Sequence, residues 1–78
     1  MDLVAFFREN NIKVLRDDVL FVRKMLNNFS YHNRKRIFAK YCSIWLGAMH
    51  ECIEENKKEN VGRKKANYWL LTLRIASS

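Results

Sequence analysis

Proline is absent from this chain of 78 residues, and glycine occurs only at Gly47 and Gly62. A sheet protein needs turn formers at roughly every 8–12 positions, so this scarcity excludes a meander or sandwich and favours an all-helical chain. Cysteine is limited to Cys42 and Cys52. On one helix their ten-residue spacing corresponds to about 15 Å of rise, beyond disulfide reach. Both fall on an apolar helical face and are expected to be buried free thiols, which suits a reducing, cytoplasmic setting. No apolar run approaches the ~18 residues of a membrane span. Arg8 and Glu9 end the opening apolar run Leu3 to Phe7, so no signal peptide is expected. Acidic residues are missing altogether from Ser30 to His50.

Apolar residues make up 49% of the chain and ten of its residues are aromatic (two Trp, three Tyr, five Phe), enough for a core and too many for a disordered chain. A single domain of this length buries about 60–65% of its unfolded surface, so stability is expected to be modest without a staple or a second copy. The chain is compatible with one domain of a longer protein.

Four helices are legible. Leu3, Phe6 and Phe7 share a face in a first short helix, with Asp2 as its cap and Asn10-Asn11 as its end, because Asn tolerates the left-handed conformation. Ile12, Val14 and Leu15 read as an apolar connector. Asp17-Asp18 is a start signal for a second helix, by capping and by charge at the positive end of the dipole. Val19, Phe21, Val22, Met25 and Leu26 form its inner face, and Asn27-Asn28 ends it. Ser30 is the next N-cap. From Tyr31 to Ile53 a long third helix is expected, of about 24 residues and 36 Å. Phe38, Tyr41, Trp45 and Cys52 centre its apolar arc, while Arg36, Lys40, Ser43, Gly47, His50 and Glu54 lie on the wet side. The polar stretch Glu54 to Asn60 holds the turn into a fourth helix covering at least Arg63 to Arg74. Gly62, Ala66, Trp69, Leu70 and Leu73 share its inner face, and the two small residues allow close approach of another helix. The expected fold is therefore all-α, a small bundle of about four helices built on an antiparallel hairpin of helices three and four.

Charge is uneven as well as large. Fifteen Lys and Arg against eight Asp and Glu leave a net +7. Residues 30–50 carry four bases and no acid, against five and four in residues 1–29 and six and four in residues 51–78. Two clusters stand out: Arg34, Lys35, Arg36 and Lys40, and Arg63, Lys64 and Lys65. Both open a helix, where the dipole disfavours cations, and a local rule broken twice points to another demand on those positions. Free N–H groups at a helix start, flanked by Arg and Lys, suit phosphate. Tyr31, His32, Asn33 and Asn67 add hydrogen-bonding and stacking groups. Antiparallel packing would set the clusters about one duplex turn apart. These features lead to DNA, ahead of RNA, as the expected partner. An accessory or regulatory role in replication or transcription follows as an expectation, in a phage or mobile element given the Asn- and Lys-rich composition. A basic run is more often a solvated face, and the size of the imbalance is what shifts the balance here.

The rival expectation is a protein-interaction module, an adaptor or inhibitor docking through the Tyr68, Leu71, Ile75 strip on helix four, on a larger partner or as a homodimer. A helix-turn-helix is not assigned, because helix three is too long and no glycine turn precedes it. Catalysis, a cofactor and a metal are not expected. His50 and Cys52 diverge around a helix, His32 is remote from both, adjacent acidic pairs cannot oppose across a substrate, and two isolated glycines make no phosphate loop. Trp45 and Trp69 are both expected in the core.

Overall fold

The computed structural model describes residues 3–13 and 15–77, with side chains in the last helix as far as Leu73. Its elements are α1 (Leu3–Glu9), α2 (Arg16–Leu26), α3 (Tyr31–Glu51), one 3-10 turn (Glu55–Lys57) and α4 (Lys58–Ser77). The all-α bundle is as expected. Helices α3 and α4 form its antiparallel hairpin: Trp45 meets Gly62, Tyr41 meets Asn67, and Lys40 shares a groove with Trp69.

Several boundaries follow from local chemistry. Asn11 takes φ 57°, the left-handed conformation that stops α1, and Ile12 N–H reaches back to the Phe7 carbonyl at 2.8 Å. Ser30 caps α3, its hydroxyl accepting from the Asn33 N–H. The expected Asp2 cap and Val14 lie outside the described residues.

The start of α2 differs from expectation. Leu15 is the N-cap, without a side-chain cap bond, and the helix begins at Arg16. Asp17-Asp18 therefore sits inside the first turn, where Asp17 can favour the dipole while Asp18 is buried. Leu15 is exposed, so of the expected connector only Ile12 enters the core among described residues.

The end of α3 differs too. It stops at Glu51 after 21 residues, about 31 Å. Cys52 is extended at the C-cap, with its thiol against the Glu54 carbonyl at 3.4 Å. Leaving the helix turns Ile53 out to 96% exposure, so the apolar arc loses its last two members. Neither thiol is fully buried: both cysteines are half-buried and unbonded to each other.

The core is aromatic at its centre. Phe7, Tyr41 and Trp45 are fully buried. The Phe7 and Trp45 rings lie 4.9 Å apart, and Phe6 meets Phe38 edge-on at 6.3 Å, which seats α1 on α3. Val22, Met25 and Leu26 close it from α2, Ala66 and Leu70 from α4. The expected close approach occurs at Gly62: a Cβ there would stand 2.6 Å from Trp45 Cδ1. Trp69, expected inside with Trp45, is only half-buried at the margin.

Candidate nucleic-acid interface

Antiparallel packing separates the two basic clusters along the hairpin by less than the expected duplex turn: Arg63 lies over Trp45, ten α3 residues or about 15 Å beyond Lys35. Because α4 begins at Lys58, Arg63, Lys64 and Lys65 also fall in its second turn instead of opening it. The surroundings of the two clusters are unlike.

In the α4 cluster, Arg63 turns inward. Its Nε donates to Asp18 Oδ2 at 2.6 Å, Nη1 donates to Asn60 Oδ1 at 2.7 Å, and the guanidinium lies over the Trp45 ring at 5.7 Å. With Asp18 and Arg63 side chains 8% and 18% exposed, this is a buried ion pair rather than a phosphate contact. Asn67 completes it: its amide donates to Asp18 Oδ1 at 3.5 Å while its carbonyl accepts from the Tyr41 hydroxyl. Burial first, and then the Asp18 carboxylate, raise the Tyr41 hydroxyl well above the usual phenol range, so it remains a neutral donor. Arg63 and Asn67, expected at the interface, are thus fastened inside the fold. Lys65 faces Glu51 at 3.7 Å across the hairpin. Lys57 and Lys58 pair with Glu54 and Glu55 at 3.2 and 3.0 Å. Lys64 is exposed without an acidic partner among the described residues.

The α3 cluster has no such neutralisation. Arg34 is half-buried, and its Nε bridges the carbonyls of Leu26 and Phe29 at 3.0 and 2.9 Å. It ties the end of α2 to the first turn of α3, a structural duty the basic run did not reveal. Lys35 is exposed with its ammonium 5.3 Å from the Tyr31 ring centre, and that ring is itself 67% exposed and edge-on to His32. Arg36 and Lys40 are exposed and make no ion pair among the described residues. Asn33 is exposed beside them; its backbone N–H is capped by Ser30, and its side chain makes no hydrogen bond among the described residues.

Asn33, Arg36, Ile37 and Lys40 recur at i, i+3, i+4, i+7 and form one wall of an open groove of about 530 Å³. Trp69 and Leu73 of α4 form the other wall. This joins a half-buried aromatic ring to the unneutralised cations. Trp69 departs from its expected core place: it lies one position before Leu70, on the flank of the Gly62, Ala66, Leu70 ridge, and that offset is the signal for a marginal position.

A second groove runs along α3 alone, past Ala39, Cys42, Ser43, Leu46, Gly47 and His50. Desolvation pushes the Cys42 thiol up to about 12, so it stays a protonated thiol there. Gly47 has no atom within 4 Å of where its Cβ would stand. The strip on α4 is open as expected, with Tyr68 70% and Leu71 41% exposed; the Ile75 side chain lies outside the described residues. No three His, Cys, Asp or Glu side chains converge as metal ligands among the described residues, and no helix there is long and apolar enough to cross a membrane. Comparison with known protein families, curated proteins and solved structures gives no match for this chain.

Proposed function

We propose that the protein binds nucleic acid, with DNA the first ligand to test, through the amino-terminal half of α3. The observation that carries this reading is the unneutralised charge of that segment: Lys35, Arg36 and Lys40 project from a stretch with no acid from residue 30 to residue 50. Tyr31, His32 and Asn33 stand exposed at the same helix end, where free N–H groups favour phosphate. Arg34 holds that end against α2. The second cluster contributes at most Lys64 and Lys65, because Arg63 and Asn67 are used internally. Such a protein would act as an accessory or regulatory factor in replication or transcription, as small proteins of phages and mobile elements do.

Salt dependence tests the reading and counts the contacts. Each duplex phosphate contact contributes about −0.9 to the slope of log affinity against log salt. Three contacts give about −2.7, or roughly a 40-fold loss between 50 and 200 mM; a clamp using all seven expected bases would give about −6.3. Anisotropy titration of labelled random-sequence duplex and single strand at these salts measures it. Absence of binding at the lower salt in both forms would sink the proposal.

Exposure of Tyr68 and Leu71 favours one second reading, a protein-docking strip on α4. Binding of that kind would be lost on Leu71→Asp and would change little with salt.

A further inference from the structure

The groove between the amino-terminal half of α3 and the carboxy-terminal half of α4 differs from two others among the described residues. The groove along α3 is lined by no Lys or Arg. One at the α3–α4 connector sets Glu55 and Glu59 beside Lys58, which cancels its charge for an anion. Of these three, the groove with Trp69 combines aromatic and aliphatic walls, two cations without acidic partners among the described residues, and an amide with no side-chain bond there.

We propose that this groove seats one unpaired nucleotide of a nucleic-acid strand, with the base against Trp69 and the flanking phosphates on Arg36 and Lys40. The inference rests on the nucleic-acid reading above and names the form of ligand it takes. Its volume of about 530 Å³ lies within the ~300–1,000 Å³ typical of small-ligand sites. Ile37, Leu73 and Trp69 offer a surface that a flat heterocycle can desolvate. Arg36 and Lys40 lie one helical turn apart on the α3 wall, so a backbone running along that wall passes both. Asn33 stands one turn before Arg36, able to donate to and accept from a base edge. A duplex presents base edges while its base faces stay stacked, whereas an indole wall recognises a face. The groove therefore discriminates in favour of a single strand, and modestly among bases, because every base has a π-face.

The test uses the whole chain with a labelled oligothymidylate of about 16 nucleotides and the matching duplex, read by anisotropy and by tryptophan emission. Trp45 is fully buried, so quenching on binding reports Trp69. The expected result is tighter binding of the single strand, with quenching that disappears in Trp69→Phe although affinity largely persists. Trp69→Leu should weaken single-strand binding by about five- to 140-fold, the range of base–aromatic stacking. Should Trp69→Leu fail to fold by circular dichroism, the wild-type quench and its loss in Trp69→Phe decide. Equal binding of both forms with unchanged emission would overturn the nucleotide seat and leave the nucleic-acid reading standing. No binding of either form at low salt would overturn both.

Discussion

The amino-terminal halves of α3 and α4 look alike as text, each carrying a basic triplet, and they are opposites in the fold. Around α4 the chain supplies acids: Asp18 from α2, Glu51 from the end of α3, Glu54 and Glu55 from the connector. Around the amino-terminal half of α3 it supplies none among the described residues, and Arg34 spends its Nε on two carbonyls instead. A basic run acquires meaning only from what the tertiary structure brings opposite it. One cluster here is largely a means of holding the hairpin; the other keeps its charge for something outside the molecule.

The sharpest way to break this contrast is Arg63→Ala. Removing one member of a buried ion pair leaves the other uncompensated, at a cost of about 3–5 kcal/mol. Against a total of roughly 4–12 kcal/mol for a chain this size, that loss brings the protein near unfolding, visible in the urea midpoint. Replacing the pair together, Asp18→Leu with Arg63→Met, should recover most of it, since no orphaned charge remains. If Arg63→Ala folds as well as the wild type, the pair is ornamental and Arg63 returns to the list of possible phosphate contacts.

Gly62→Ala attacks the same region through geometry. Its Cβ would stand 2.6 and 2.8 Å from Trp45 Cδ1 and Nε1 and 3.0 Å from the Trp45 carbonyl, and neither the ring nor the backbone can withdraw easily. The expected cost is about 1–3 kcal/mol, as for other overpacked contacts. Because Gly62 sets how closely the start of α4 rests on Trp45, displacement there should also loosen Arg63 from Asp18. The two substitutions are then non-additive in a double-mutant cycle. Gly47→Ala is the control from the other helix: in open space within α3, it should stabilise by about 0.8–1 kcal/mol. A loss at Gly47 in the isolated monomer would contradict its open surroundings.

How much of this was legible follows the range of the forces. Local chemistry could be read directly: the left-handed Asn11, the Ser30 cap, the Gly62 and Ala66 ridge, and the aromatic face of α3. Failures came where a distant residue decided. Asp18 looks like a helix start, yet it shares an apolar face with Val22 and Met25, the mark of an acid that needs a buried base. Arg63 shares a face with Ala66 and Leu70 in the same way. Their partnership spans 45 positions, and nothing local predicts it. Ile53 continues the helical period, but the helix has already ended at Glu51 and the period no longer applies.

The smallest expected effect is the most informative about function. Arg36→Ala and Lys40→Ala remove exposed side chains without ion pairs among the described residues, so each should change stability by no more than about 0.5 kcal/mol. The direction should be a gain, because the two form a like-charge i, i+4 pair on α3. Raising salt should stabilise the wild type for the same reason, and the double variant less, since screening has less repulsion to relieve. Nucleic-acid affinity should fall in both variants, with the salt slope flattening by about 0.7–0.9 per residue removed. Charges that cost the fold a little and serve it nowhere are explained by a ligand; if their removal destabilises the protein and leaves binding untouched, the contrast between the two helices collapses.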